Sequence, residues 1–330
     1  MANKYTVLFT QERWQEVNKT NKKLYEQYIR QCKSDMKSPK TIEQYGSDLR
    51  MFQCWNLLYN DNMCVLDFKK RHFDDFKFYM LEDRGVSSCR INRLMSAIRT
   101  MMSYAEDDDD LYENYIRNVA AKVKSVPIKP VKEITFLDDE QVHKLREYLR
   151  EHGMYKKMFL LDLLYDSGAR INEIHQVDYH LSLFAGYTQK VQCKGQVPYN
   201  LLLHDRAKES LQLFLENRVH KEAMYLWESE KKFLDRKVSV DQLRTWVREM
   251  SSILSEIEGR KIKFTPHSFR HSVIENMGNG THYLCKQIGR AFTVEEIAII
   301  AHHKSIEMTK SYMKPKDDSM FLELFGIKIA

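Results

Sequence analysis

Apolar residues recur at intervals of three and four over most of the chain, the period of helices that bury one face. Tyr45, Leu49, Phe52 and Trp55 make one such stripe, and Ser38-Pro39 ahead of it supplies an N-cap and a proline at the first helical position. Asn60-Asp61-Asn62 ends that helix. Phe73, Phe76 and Tyr79 or Met80 point inward from a helix over about His72 to Asp83, closed by Gly85 as a C-cap. Ile91, Leu94, Ile98 and Met101 or Met102 form the stripe of the next, opened by Ser87-Ser88. Leu24, Tyr28 and Ile29 mark an earlier helix beginning near Thr20 and broken at Lys33 to Ser38, while TVLF before it reads as a short strand or an arm and TQERWQEV as a helix start. Further on, Asp138 caps EQVHKLREYLREHG, and KMFLLDLLYDSG is apolar on all sides, as a buried helix is, until Gly168 breaks it. Asp205 to Asn217 forms a helix, Leu226 to Arg236 reads as loop with strand fragments, and a later helix turns Leu243, Trp246, Val247 and Met250 inward. The period shortens to two only in YTQKVQCKGQVPYNLLLH, which turns at Lys194-Gly195 as a hairpin does. The pattern predicts a mainly α fold with a small β section.

A chain of 330 residues is long enough for two cores. The segment AKVKSVPIKPVK, Ala121 to Lys132, has two prolines, four lysines and little apolar periodicity, which describes an extended basic linker. The expected organisation is an N-terminal extension (1–19), a helical domain (20–120), a linker (121–134), a second domain (135–314) and a C-terminal tail (315–330). Hydrophobic residues at 43% and charged residues at 30% fit a soluble globular protein, and no apolar run approaches the roughly 20 residues of a membrane span. The N-terminus lacks a secretory signal and the six cysteines contain no Cys-x-x-Cys pair, so a cytoplasmic protein with reduced thiols is expected. A net charge of +6 permits nucleic-acid binding. The acidic run Asp107 to Asp110 would then face away from it.

The chemistry concentrates between Phe264 and Lys314. Thr265-Pro266 starts a helix, and His267 and Arg270, three apart, leave one face of its first turn, a favourable place for an anion. Tyr312 follows His303 by nine residues, with Ser305 placed to cap the helix between them and Lys310 and Lys314 flanking the tyrosine. Imidazoles, an arginine and a phenol suit phosphoryl transfer from DNA to tyrosine. A metal site built from His267, His271, His302 and His303 is a rival, although no zincin glutamate accompanies these histidines.

HSFRH followed by AHHKSIEMTKSY resembles the catalytic signature of the tyrosine recombinases, the phage-integrase family. SGARINEI resembles the family's first arginine box, which implies that Arg170 contacts the scissile phosphate with Glu173 orienting the region. TFLDDEQVHKL resembles the entry to the catalytic domain. SPKTIEQYGSDLRMFQCW and GVSSCRINRLMSAIRTMMSYA resemble the SAM-like core-binding domain, so that the resemblance spans about Thr20 to Lys314. It implies a clamp on double-stranded DNA, with Lys40, Arg90, Arg93, Arg99, Lys124 and Lys129 as DNA contacts. It also implies attack by the Tyr312 hydroxyl on a phosphodiester, giving a 3′-phosphotyrosine, with no cofactor. Arg170 and Arg270 would clamp the non-bridging oxygens, His303 would hold one of them, and His267 would move the phenol proton. Lys194 would protonate the leaving 5′-oxygen, with Lys190 as its competitor. The partners implied are DNA and further copies of the chain, as a dimer or tetramer on the nucleoid, with the apolar tail either packed within the chain or docked on a neighbour. The implied role is integration or excision of a phage or mobile element. Two departures stand out: His303 lies 33 positions after Arg270, more than is usual in the family, and His302 replaces the glycine that ordinarily precedes the motif histidine. They keep open a regulator, such as a repressor, that retains the fold without strand transfer.

Overall fold

The computed structural model describes residues 7–108, 110–128, 134–193, 197–219, 225–229 and 236–313. Lys129, Lys194 with the expected hairpin turn, Lys314 and the tail 315–330 lie outside the described residues. The chain divides into two compact units, Met1–Lys132 and Glu133–Ala330. No helix among the described residues is long and apolar enough to cross a membrane.

The first unit is helical: α1 (Gln11–Glu16), α2 (Lys19–Ser34), α3 (Pro39–Tyr59), α4 (Lys70–Phe78, continued by one wide turn over Tyr79–Asp83) and α5 (Ser88–Glu106). Local chemistry sets the ends. The Thr10 hydroxyl caps α1, and the Ser38 hydroxyl accepts the Thr41 amide at 3.2 Å with Pro39 next in line. Asp61 and Asn62 adopt left-handed φ values of 51° and 52° beyond the end of α3, and Gly85 does so at 60° beyond α4. Ser87 occupies the N-cap of α5, but its hydroxyl makes no capping bond. The core is aromatic: the Phe52 ring lies 5.0 to 6.2 Å from the rings of Trp55, Phe68, Phe73 and Phe76. Each such ring removes apolar area worth about 2–3 kcal/mol from water.

Two of the arginines expected to contact DNA are engaged inside this unit. Both terminal nitrogens of Arg90 meet the carboxylate of Asp48, which is fully buried in α3. Arg99 donates to the Val123 carbonyl at 2.7 Å and the Ala120 carbonyl at 3.4 Å. Arg93, Lys40 and Lys124 are exposed. Asn92 holds Val126 through a pair of 2.8 Å bonds, so the segment expected to open a linker at Ala121 is fastened to α5 as far as Val126. Side-chain bonds to backbone leave no periodic mark, which is why the sequence reads this stretch as free. Arg90→Ala leaves the buried Asp48 carboxylate without its counter-charge, with the Gln44 amide still donating to it at 2.9 Å; because Arg90 itself is partly exposed, the expected cost is about 1–3 kcal/mol, measured as a lower urea midpoint.

The second unit is built around α7 (Tyr155–Ser167), preceded by α6 (Asp139–Glu151) and buried on every side from Met158 to Ser167. Short helices α8 (Ile171–Ile174) and α9 (Ser182–Ala185) lead to the antiparallel pair β1 (Tyr187–Val191) and β2 (Tyr199–Leu202), registered Val191 to Tyr199 and Lys190 to Asn200. Then follow α10 (Asp205–Asn217), α11 (Val240–Ile257), α12 (Pro266–Gly278), α13 (Tyr283–Ile288), α14 (Val294–Ile300) and α15 (Ile306–Lys310). α6, α10 and α12 pack on α7. Leu243, Val247 and Met250 of α11 are buried as expected, with Trp246 partly so. The Ser272 hydroxyl accepts the Leu137 amide at 2.8 Å and Asn276 donates to the Leu137 carbonyl at 2.9 Å, which fixes α12 against the start of the unit.

Candidate active site

α7 ends where Gly168 turns left-handed at φ +58°, a conformation that costs a side chain about 1 kcal/mol. The chain resumes two residues later with Arg170 as the N-cap of α8. Glu173, one turn on and 2% exposed, accepts the Arg170 amide at 2.8 Å and its guanidinium at 3.1 Å. Burial alone would raise the Glu173 carboxyl; the Arg170 amide, the Cys193 thiol and the Arg170 charge outweigh it and hold the carboxyl below its ordinary range. Glu173 is therefore ionised and aims Arg170. Trp227, buried, donates to the Ile174 carbonyl at 2.7 Å and pins the end of α8.

α12 begins with Thr265 and Ser268 capping each other and Pro266 at the first turn. One turn in, Arg270 is 1% exposed and donates to the carbonyls of Gly168 at 2.7 Å and Ala301 at 2.6 Å. It thereby joins the end of α7 to the end of α14. The segment between Arg270 and His303 completes α12, forms α13 and α14 and brings the chain back. His302 takes φ +49° where a glycine would be relaxed, and its ring stacks on Tyr199 at 3.4 Å. His303 shares a 2.8 Å bond between Nδ1 and the Thr309 hydroxyl. Ser305 caps α15, and Tyr312 follows directly.

The Tyr312 ring lies among these groups. Its centroid is 5.3 Å from the Arg270 guanidinium carbon, 4.9 Å from the His303 ring, 5.2 Å from the His267 ring and 4.5 Å from the His271 ring. Arg270 Nε and His303 Nε2 are both buried and have no hydrogen-bond partner among the described residues. A buried polar nitrogen left without a partner is costly, and a ligand with acceptor oxygens would satisfy the Arg270 N–H and, in the Nε2–H tautomer, His303 as well. The structure thus gathers His267, Arg270, His303 and Tyr312. Arg170 extends toward β1, where its Nη1 lies 3.6 Å from Cys193 Sγ. Lys190 is exposed on β1 and Lys194 lies outside the described residues. No three His, Cys, Asp or Glu side chains among the described residues form a ligand set for a metal. The cavities of about 600 Å³ beside Trp246 and about 690 Å³ beside Phe264 contain none of the gathered side chains.

Positive charge here comes from the arginines. Burial and then the Arg270 and Arg170 charges push His303 down to about 4, and burial first, then His271 and Arg270, lowers His267. Because the fold favours the neutral His303 ring, its contribution to stability is complete above about 6.5 and is lost as pH falls toward about 4. Asp166, pushed up to about 6 by burial, contributes in the opposite sense, so global melting is a poor readout. The expected result is that the His303 ring titrates near pH 4 by NMR. An anion at Nε2 raises that midpoint, so anion binding takes up a proton and strengthens as pH falls.

Sequence reasoning treated His271 only as a metal ligand and did not find Cys193 or Thr309. The Nδ1–H of His271 donates to the Tyr312 carbonyl at 2.8 Å. The second His of HSFRH, one turn after His267, was its only mark in the sequence.

A family model described as Phage integrase family matches residues 135–319. Tyrosine recombinase XerD of Staphylococcus haemolyticus is 28% identical over 183 residues, 54% of this chain and 59% of that relative, so the alignment spans less than two thirds of its length. Tyrosine recombinase XerC of Chlamydia caviae is 24% identical over 295 residues, 83% of this chain and 88% of that one. A lambda integrase dimer bound to a COC' core site superposes with a TM-score of 0.64 at 16% identity, covering 88% of this chain and 76% of the other. At that identity the likeness establishes the fold: mainly helical, with the small β section.

Proposed function

This chain belongs to the phage integrase family, and from that premise we propose that it is a site-specific DNA recombinase acting through a phosphotyrosine at Tyr312. The observation that carries the proposal is the Tyr312 ring packed against the Arg270 guanidinium, beside two buried nitrogens, Arg270 Nε and His303 Nε2, that have no hydrogen-bond partner among the described residues. A phosphodiester at that place supplies acceptor oxygens and an electrophile to the same tyrosine. In the tautomer in which the Thr309 hydroxyl donates to Nδ1, His303 carries its proton on Nε2 and offers it to a non-bridging oxygen. Arg170, aimed by Glu173, and Arg270 neutralise the charge that builds on phosphorus in the transition state.

The Tyr312 oxygen forms a bond to phosphorus as the bond from phosphorus to the 5′-oxygen breaks, leaving a 3′-phosphotyrosine and a 5′-hydroxyl. The phenol proton passes to His267, neutral at pH 7 because burial and its cationic neighbours lower it. Ionising a phenol of ordinary pKa about 10 at pH 7 costs about 4 kcal/mol, which the arginine field and this proton transfer offset. Lys194 donates to the 5′-oxygen, with Lys190 the alternative. A second 5′-hydroxyl then attacks the phosphotyrosine and releases Tyr312. The link conserves the phosphodiester's energy, so ATP is not required.

The DNA partner is a duplex carrying a specific site, engaged by two or four copies of the chain in the cytoplasm, with the tail 315–330 as a contact between them. Arg93, Lys40, Lys124 and Lys129 contribute phosphate contacts, and Arg90 and Arg99 act mainly by holding the first unit together. The substrates are phage or mobile-element DNA. The long interval that motivated a repressor is taken up by α13 and α14, which return the Ala301 carbonyl to 2.6 Å from an Arg270 terminal nitrogen, an arrangement that supports the recombinase reading.

The test is strand exchange between two labelled duplexes carrying a site selected for binding, in chelator and without nucleotide. Recombinant duplexes are expected. Tight, specific binding with no exchanged product would favour the repressor.

A further inference from the structure

His271 lies on α12 one turn beyond His267 and takes no part in the chemistry derived above, yet it makes a direct bond to the segment that bears the nucleophile. Its Nδ1–H donates to the Tyr312 main-chain carbonyl at 2.8 Å, its ring lies 4.5 Å from the Tyr312 ring and 4.7 Å, edge to face, from the His267 ring. Phe136 packs edge-on at 5.9 Å from another side, and the residue is 6% exposed. α15 is only five residues long, Ile306–Lys310, and Tyr312 follows it without regular structure of its own. A helix that short has little stability of its own. The position of the phenol therefore depends on what fastens the backbone around it.

We infer that His271 is a positioning residue which, by holding the Tyr312 carbonyl, sets the phenol at the place of attack. The inference rests on the recombinase reading for its catalytic consequence and on geometry alone for its structural one. The neutral ring has one N–H, and the bond to the carbonyl places it on Nδ1. α12 is anchored to α7 through Arg270 and to Leu137 through Ser272 and Asn276. His271 carries that rigidity to Tyr312. His267 shares the arrangement, because the two imidazoles touch edge to face, so loss of His271 disturbs both the phenol and the group that takes its proton.

The test compares His271→Asn, whose amide can donate at the place of Nδ1, with His271→Leu, of similar size and without a donor. Should the leucine variant fail to fold, His271→Phe, which keeps a ring and lacks the donor, takes its place. Two readouts are needed. Amide hydrogen exchange over residues 306–313 in the DNA-free protein should accelerate in the donor-less variant and stay near wild type in the asparagine variant, with both unfolding midpoints close to wild type. Single-turnover cleavage at saturating protein should fall about 10- to 100-fold without the donor, at unchanged DNA affinity, and recover to within about threefold with asparagine. Unchanged exchange in the donor-less variant, or loss of rate in the asparagine variant equal to that in leucine, would overturn the inference. If wild type itself does not cleave DNA, the recombinase reading fails and the exchange comparison still decides the role of His271.

Discussion

Arg270→Ala is expected to lower the stability of the second unit by about 3–5 kcal/mol and to abolish DNA cleavage. The side chain is among the largest fully buried ones in the chain, and its two terminal nitrogens satisfy the carbonyls of Gly168 and Ala301. Alanine leaves a cavity, two buried carbonyls without donors and no link between the ends of α7 and α14. Arg270→Lys separates folding from chemistry. One ammonium cannot reach both carbonyls while also facing a phosphate, so stability falls by about 1–2 kcal/mol and cleavage by about 100- to 1000-fold. Urea midpoints and single-turnover rates measured together check both parts.

Glu173→Ala is expected to produce the second-largest effect. Glu173 is buried beneath Arg170 and holds both its amide and its guanidinium. Its removal frees the Arg170 side chain, leaves the N-cap amide of α8 without its acceptor, and removes the carboxylate that balances the Arg170 charge. Cleavage should fall about 100-fold with a small change in DNA affinity, because charge is kept while aim is lost. Glu173→Gln, which can still accept the Arg170 amide, should fall between wild type and alanine. The check is a rate at saturating protein set beside a binding isotherm.

Much of this is legible in the sequence. Ser38-Pro39, Asp138 and Thr265-Pro266 are local signals, and the helices they announce begin where those residues stand. The stripe through Leu49, Phe52 and Trp55 is buried because period alone decides which face an amphipathic helix hides. His267, Arg270, His303 and Tyr312 were readable as a set from their types and spacing, and the fold brings them together. What escaped depends on contacts distant in sequence. Arg90 and Arg99 read as DNA contacts until Asp48 and the Ala120 and Val123 carbonyls are placed beside them. The interval from Arg270 to His303 looks disruptive until Arg270 meets Ala301. His302 looks obstructive until its left-handed backbone turns the ring onto Tyr199. His271 carries no signal as a positioner, because its partner is a main-chain carbonyl 41 residues away.

The central claim is that Tyr312 is the nucleophile. Its most direct test is a nicked duplex containing the selected binding site, from which the fragment beyond the cleavage point is lost so that a covalent intermediate accumulates. Wild type should give a denaturant-resistant protein–DNA adduct, with the nucleotide mapped to the peptide containing Tyr312, and Tyr312→Phe should bind the same DNA and give none. An adduct that persists in Tyr312→Phe, or specific binding by wild type with no adduct at all, would contradict the account.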